Sequence, residues 1–514
     1  MISDLSLLIE KFDVISFDIF DTLLVRNYAK PRDVWKEVER RHFAFGFAKL
    51  RSRANGLSYC DARIVEPNID DAYGKMMFYR WLKDEELKVE NEGLKANPEM
   101  LAVWKRVGAL GKKRVIVSDM YLPQTFLEKI LKRVGYDGWN GIYVSCEHQA
   151  SKRKGDLYKL MLKELGVTPD RVLHIGDNQE ADVEMPKGLG MQSYYYKPMV
   201  KTFIEANPFA DCFLRRNCSI EASKLVVAMA KIWQGLEQPI NYWQRIGVVF
   251  GAVLAKLYLG FVVKEAKRRQ IERLLFVARD GYSLIKMFDA LDMGIKTTYI
   301  YAPRLVLRSD AEQVKKEYAK YIESLNIVEE RVAVVDTCSM KFTCQKLLNE
   351  VLGRDVFGIF LLTFKPVKNG VAMIFDPETL ARWFNIAELV FSAPNPPIAR
   401  VEDGEPVYVD SIGESEKYRI EHYPCLSESM IAAVHHLLAE DVIVTKRIWI
   451  DWIESFMACM TDEDKLEFSK SSHSPDAAHS ENAPVFMLPR KKNLLFFVVA
   501  VYHIFKYGPK SYFL

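Results

Sequence analysis

The run Phe12-Asp13-Val14-Ile15-Ser16-Phe17-Asp18-Ile19-Phe20-Asp21-Thr22-Leu23-Leu24 decides how the first part of this chain is read. Its first half is short, apolar and β-branched, with aromatics, the pattern of a buried strand. Asp18 falls where that strand ends, and open α/β sheets collect ligands at the carboxyl ends of their strands. One such aspartate is weak evidence, because many only cap the next turn. Three further polar groups follow in similar places. Lys113-Arg114-Val115-Ile116-Val117 ends in Ser118-Asp119. Ser151-Lys152-Arg153-Lys154-Gly155-Asp156-Leu157-Tyr158 opens a helical pattern with Lys152 at its front. Arg171-Val172-Leu173-His174-Ile175-Gly176 ends in Asp177, with Asp182 five residues on.

Each group alone has an ordinary role. Ser118 can be a turn hydroxyl, with Asp119 capping the next helix. Lys152 shares a solvated basic run with Arg153 and Lys154, and Asp182 suits a helix N-terminus. Together they form the set that phosphoryl chemistry requires. A carboxylate can attack, a hydroxyl and an ammonium can hold phosphoryl oxygens, and further carboxylates offer hard oxygen ligands to Mg²⁺.

This ordered set resembles the haloacid dehalogenase (HAD) superfamily over roughly residues 10–200. The resemblance implies an α/β fold: a Rossmann-like parallel sheet with an inserted helical cap. It also implies a Mg²⁺-dependent hydrolase, most commonly a phosphatase working through an aspartyl-phosphate. Asp18 would be the nucleophile, Ser118 the phosphate-binding hydroxyl, and Lys152 the cation that offsets charge on nucleophile and phosphate. Lys152 lies six residues before Tyr158, the family's usual spacing. Metal contacts would come from Asp18, the Phe20 carbonyl, Asp177 and Asp182, the last as ligand or as orienter. One position departs from the family's phosphatases, which carry a second aspartate, the leaving-group acid, two residues after the nucleophile. Here that residue is Phe20, an aromatic as in the branch that cleaves carbon–halogen bonds. Asp21, where the family usually has glycine, is the remaining candidate acid.

About 90 residues separate the first two motifs, where a crossover unit needs only ~10–12 or somewhat more. The segment is charged and helical in pattern. Pro31-Arg32-Asp33-Val34-Trp35 starts one helix, and Asp70 to Lys88 predicts another. It reads as a cap over about 26–105 that closes on the site and selects substrate.

The chain is long enough for about two to four domains. It is 49% apolar and 27% charged, with 71 basic against 68 acidic side chains. That balance gives no reason to expect nucleic-acid binding. The eight cysteines lack CxxC spacing and read as reduced, mostly buried thiols. The N-terminus lacks the features of a signal peptide. No run reaches the ~18–20 apolar residues of a membrane span. A cytoplasmic protein is expected.

The expected domain plan is 1–205 for the HAD-like domain, 206–272 for a helical connector, 273–400 for a second Rossmann-like domain and 401–468 for a helical region. A linker (469–484) and a basic, apolar tail (485–514) follow. In the connector, Gly247, Gly251 and Gly260 suggest close helix packing. In the second domain, strand-like runs end in Arg279-Asp280-Gly281 and Asp336-Thr337, and Arg304 and Arg308 follow another. Arg279, Asp280 and Asp336 therefore mark a candidate second site, either a degenerate copy of the first or a phosphate-binding one. The ordinary alternative is a structural Arg279–Asp280 ion pair, with Gly281 supplying a positive φ. Cys338 and Cys344 read as core positions of one helical region. The RDG strand end resembles the second half of large bacterial HAD fusion proteins of surface-polysaccharide biosynthesis.

The tail carries five Lys/Arg and no acid from Phe486 to Leu514. This predicts a peripheral contact with the inner face of the membrane or with a glycan-assembly partner, unless the tail docks on the protein's own core. The leading functional expectation is a phosphatase whose partner is a phosphorylated small molecule, such as a sugar phosphate. The alternatives are a sugar- or polyol-phosphate transferase centred on the second domain, and a non-catalytic scaffold.

Overall fold

The structure, a computed structural model, describes residues 2–237, 239–303, 306, 312–339, 341–363, 365–374, 387–473 and 483–484. The expected tail at 485–514, most of the linker, and Arg304 and Arg308 lie outside the described residues. Contacts divide the chain into two units, Met1–Gln234 and Gly235–Leu514. The segment 206–272 is largely helical but is shared between them: the helix Ile220–Gln234 closes the first unit and Tyr242–Arg268 opens the second.

The strands of the first unit are β1 (Val14–Phe17), β2 (Leu24–Arg26), β3 (Leu94–Ala96), β4 (Lys113–Ser118), β5 (Gly141–Val144), β6 (Val172–Gly176) and β7 (Gln192–Tyr195). Five of them form a parallel sheet in the order β5-β4-β1-β6-β7. All four residues of β1 are buried, as expected for a central strand covered on both faces. Phe17 pairs with Ile116 on one side and Ile175 on the other. That register brings Asp18, Ser118 and Asp177 out of the sheet at one end. The chain builds outward through β4 and β5, then returns to lay β6 on the other side of β1. The order reverses between β1 and β6, the place where open α/β sheets take their ligands.

The cap hangs on a two-stranded antiparallel stem. Leu24 pairs with Ala96 and Arg26 with Leu94. Helices Asp33–Arg41, Phe47–Tyr59, Ile69–Gly74 and Lys83–Gly93 lie between. The insertion therefore ends at β3, short of the expected 105. The next helix, Pro98–Ala109, covers the sheet, its Trp104 ring 5.3 Å from that of Phe17. The single helix expected over Asp70–Lys88 is two. An Asn68–Asp71 capping box starts the first. Asp84, Glu85 and Glu86 favour a new N-terminus for the second, and between them Tyr79 turns the chain at φ 65°. Buried ion pairs hold the cap: Arg26 to Glu90 at 2.9 Å and Arg51 to Glu86 at 2.8 Å.

The second unit contains β8 (Arg273–Val277), β9 (Lys296–Ile300), β10 (Val332–Ser339), β11 (Phe357–Thr363) and β12 (Gly370–Ile374). They form a second parallel sheet, ordered β12-β11-β10-β8-β9. Counted along the chain, this order is second-first-third-fourth-fifth, whereas the first sheet runs third-second-first-fourth-fifth. The second sheet is doubly wound but is not a degenerate copy of the first. The region from 401 does not begin as helix. A hairpin pairs Ile398–Glu402 with Glu405–Tyr408, turning through Asp403 and Gly404 at φ 50° and 84°, and helices start at Glu414. All eight cysteines are free, but only Cys146, Cys338 and Cys344 are buried. Cys338 lies on β10 and Cys344 on the helix Thr343–Leu352, so they do not share one helical region.

Tyr242–Arg268 corrects a further expectation. It is 27 residues long with a window of mean hydropathy 2.2, enough to cross a membrane, yet 72% of that window is buried inside the protein. A Cβ on Gly247 would collide with the Leu426 carbonyl oxygen, and one on Gly251 would come within 2.6 Å of the Met430 sulfur. Both neighbours belong to the helix Glu414–Ala439. Gly260, in contrast, faces nothing within 4 Å. In thermal unfolding, Gly247→Ala is expected to cost about 1–3 kcal/mol by overpacking. Gly260→Ala is expected to gain about 1 kcal/mol from helix propensity. Equal effects of the two would contradict this packing.

Candidate active site

The end of the first sheet gathers the predicted residues. Ser118 Oγ donates to Asp18 Oδ1 at 3.2 Å. Lys152 Nζ donates to the same oxygen at 2.5 Å and to Asp182 Oδ1 at 2.6 Å. Carboxylate oxygens of Asp18, Asp177 and Asp182 lie within 4.8 Å of one another.

Local structure explains which lysine enters. Asp119 does not cap a helix; it accepts the backbone N–H groups of Lys152 at 2.7 Å and Arg153 at 3.3 Å. Ser151 N–H donates to Asp156 at 2.7 Å, and Gly155 turns the chain at φ 79° into the helix Asp156–Leu165. The loop thereby aims Lys152 inward, its side chain 4% exposed, while Arg153 and Lys154 stay in solvent.

Asp182 projects from a wide helical turn, Gln179–Glu184, that Asn178 caps through the N–H groups of Glu180 and Ala181. Its second oxygen accepts Asn178 N–H at 3.0 Å. A Cβ on Gly176 would strike this carboxylate, so the strand must end in glycine for Asp182 to reach Lys152. His174 was not singled out as a site residue, yet it is fully buried and within 3.2 Å of Asp182 Oδ1 through Nε2, with Ser16 Oγ 2.6 Å from Nδ1. Its signal was a lone polar ring inside an apolar strand. Both oxygens of Asp182 are thus engaged, and it acts by holding Lys152.

The electrostatics follow from this geometry. Burial pushes the Asp18 carboxyl up to about 6, with Lys152 opposing. Burial and the like charges of Asp18, Asp21 and Asp182 push Asp177 up to about 8. Burial would raise Asp182 too, but Lys152 and His174 outweigh it and hold it low. Burial disfavours the Lys152 charge, but Asp18 and Asp182 outweigh it and keep the ammonium charged. Among the described residues no hydrogen bond reaches the Asp177 carboxylate. A self-repelling set of hard oxygens fits a divalent cation, with Asp18 and Asp177 as side-chain ligands.

Phe20 is buried, its ring under the Arg26 guanidinium at 4.1 Å. Asp21 adopts φ 55°, a left-handed conformation natural to glycine and tolerated by aspartate. Burial raises its carboxyl above the usual range, with Arg26 opposing.

In the second unit Arg279 and Asp280 follow the end of β8, but Asp336 does not end a strand as expected: β10 runs on to Ser339, and Asp336 pairs with Phe360 inside the sheet. The positive φ belongs to Arg279, at 73°, and not to Gly281, which starts a helix hard against Phe276. Arg279 pairs with Glu416 at 2.6 Å. Asp280 accepts the Thr337 hydroxyl, and the Asp336 carbonyl accepts Tyr258 OH at 2.8 Å.

Residues 12–190 match the family model for haloacid dehalogenase-like hydrolases. Among solved structures, a HAD phosphatase from Thermococcus onnurineus is similar at 20% identity, covering 36% of this chain and 86% of that one, with a TM-score of 0.27. The L-2-haloacid dehalogenase of Xanthobacter autotrophicus is similar at 16%, covering 38% and 83%, with a TM-score of 0.30. A HAD family enzyme from Bacteroides thetaiotaomicron is similar at 13%, covering 36% and 94%, also at 0.30. No curated protein matches the chain. Residues 12–190 thus carry the likeness to haloacid dehalogenase-like hydrolases, and their acidic cluster lies where β1 and β6 end.

Proposed function

We propose that this domain is a Mg²⁺-dependent phosphatase for a phosphorylated small molecule, a sugar phosphate of surface-polysaccharide biosynthesis by the resemblance described above. The observation that carries the proposal is the single Asp18 oxygen that takes both Ser118 and Lys152, with Asp177 alongside. Asp18 attacks phosphorus in line, and the bond to the leaving oxygen breaks. Ser118 and Lys152 donate to the equatorial phosphoryl oxygens. Water then cleaves the aspartyl-phosphate and frees inorganic phosphate. A divalent cation held by Asp18, the Phe20 carbonyl and Asp177 would offset charge on the phosphoryl group. A phosphate-release screen of sugar phosphates, with and without Mg²⁺, tests the reading. Release that requires Mg²⁺ is expected; no release from any compound would overturn it.

The raised carboxyl of Asp21 suits a proton donor to the leaving oxygen. Asp21→Gly is expected to stabilise the fold by up to about 1 kcal/mol by relieving its left-handed backbone. The same change should slow sugar phosphate hydrolysis by about a hundredfold or more. p-Nitrophenyl phosphate, whose leaving group needs no proton, should be spared. Equal slowing of both substrates would remove Asp21 from this role. Phe20 favours a second reading, a leaving group that takes no proton, such as a halide. Halide release from 2-haloacids would support it.

A further inference from the structure

We propose that the second unit carries a binding site of its own, for a single hydroxylated ring bearing one anionic group. A cavity of about 220 Å³ opens at the carboxyl ends of β8 and β9. Its cations are Arg279, just past β8, and Lys286, on the helix Gly281–Asp289. Tyr282, Tyr299, Tyr301 and Tyr408 supply aromatic walls and Asn395 an amide. The described lining includes no carboxylate; the acids that bear on Arg279, namely Glu416, Asp280 and Glu388, lie outside it.

The chain lays β9 on one side of β8 and β10 on the other; the cavity lies on the β9 side, past the carboxyl ends of both strands. The cations are poised for an anion. Glu416 is shared by Arg279 at 2.6 Å and Arg419 at 2.5 Å. Arg279 Nε is buried with no hydrogen-bond partner among the described residues. Its backbone is fixed by donation of its N–H to Tyr299 OH at 2.8 Å. Lys286 Nζ rests over the Tyr282 ring at 3.9 Å and has no carboxylate partner among the described residues. A guanidinium and an ammonium on one cavity, with no carboxylate in its described lining, select an anionic group.

The remainder of the ligand is read from the walls. Aromatic faces suit the flat side of a ring, and hydroxyls and an amide suit its polar substituents. The hydroxyls of Tyr282, Tyr301 and Tyr408 make no hydrogen bond among the described residues, so a purely apolar ligand would leave them unmet. The volume falls below the ~300 Å³ at which sites for drug-sized ligands begin. One ring with one charged substituent fits; a dinucleotide does not. The anion can be a phosphate or a carboxylate.

Calorimetry on the full chain carrying Asp18→Asn, which keeps a phosphate ester intact, tests the site with glucose 6-phosphate, glucuronate and glucose. At least one of the acids should bind with Kd below about 1 mM, and glucose should not. Which acid binds identifies the anion. Lys286→Met, an exposed position, should weaken that binding about tenfold, and Tyr301→Phe should weaken it less. Adding Ser118→Ala should leave it unchanged. Equal binding of glucose, indifference to Lys286→Met, loss with Ser118→Ala, or no saturable binding would each overturn the proposal. The last two outcomes leave the phosphatase reading standing.

Discussion

Asp18→Asn is expected to reduce turnover by on the order of 10⁴-fold or more, while the metal-free protein melts at the same temperature or higher. The amide keeps acceptors for Ser118 and Lys152 but loses the nucleophilic carboxylate. Stability follows from the raised carboxyl. A group whose folded pKa lies above its unfolded value stabilises the fold only while protonated, and that contribution is lost as pH rises through about 6. At neutral pH the ionised Asp18 is therefore a cost, on the order of 3 kcal/mol, which the neutral amide avoids. Steady-state phosphate release and thermal melts in EDTA check both halves. Turnover within about tenfold of the parent protein would remove Asp18 from the reaction.

Lys152→Met should be the most damaging single change to the fold of the first unit. Its ammonium lies 2.5 Å from Asp18 and 2.6 Å from Asp182, with all three side chains buried. Breaking a buried pair by removing one partner leaves uncompensated charge and typically costs about 3–5 kcal/mol. Here two carboxylates lose their shared cation beside a third. The loss should depend on pH with a definite sign. Asp182 is held low in the parent, so its contribution is present at neutral pH and fades as pH falls through the acid range. In the variant the stranded carboxylates take up protons instead, so the stability gap should narrow toward acid pH. Lys152→Met with Asp182→Asn should recover part of the stability and none of the activity. Denaturant titrations across pH read this directly; a gap that does not change with pH would contradict the bridging role.

Much of this was legible because strand periodicity and strand-end chemistry are local signals. β1, β4, β6 and β8 are apolar runs followed by polar residues, and the ends of the first three mark the first site. β5 was not legible: four residues on a sheet edge carry too little pattern, and only pairing with β4, from Gly141 against Val115 to Val144 against Ser118, defines it. The Asp403-Gly404 hairpin is legible in the sequence, since Asp-Gly is a strong turn signal. The membrane-like composition of Tyr242–Arg268 comes from burial by later helices, a tertiary fact that hydropathy alone does not carry. Strand order separates the two sheets, and order arises from long-range pairing that no local window contains. His174 was passed over because its partners, Ser16 and Asp182, come from a different strand and from a turn beyond its own.

The stem of β2 and β3 has a consequence for how such a domain diversifies. The insertion leaves the sheet at Arg26 and returns at Leu94, two residues paired with each other. Its ends are therefore neighbours whatever lies between them. Closing a loop of twice the length costs only ~0.6 kcal/mol more. Descendants of this chain can exchange, lengthen or rebuild the whole cap at small thermodynamic cost, while Asp18, Ser118, Lys152 and Asp177 keep their register. The site residues and the cap thus lie on separate pieces of the sequence, free to evolve at different rates.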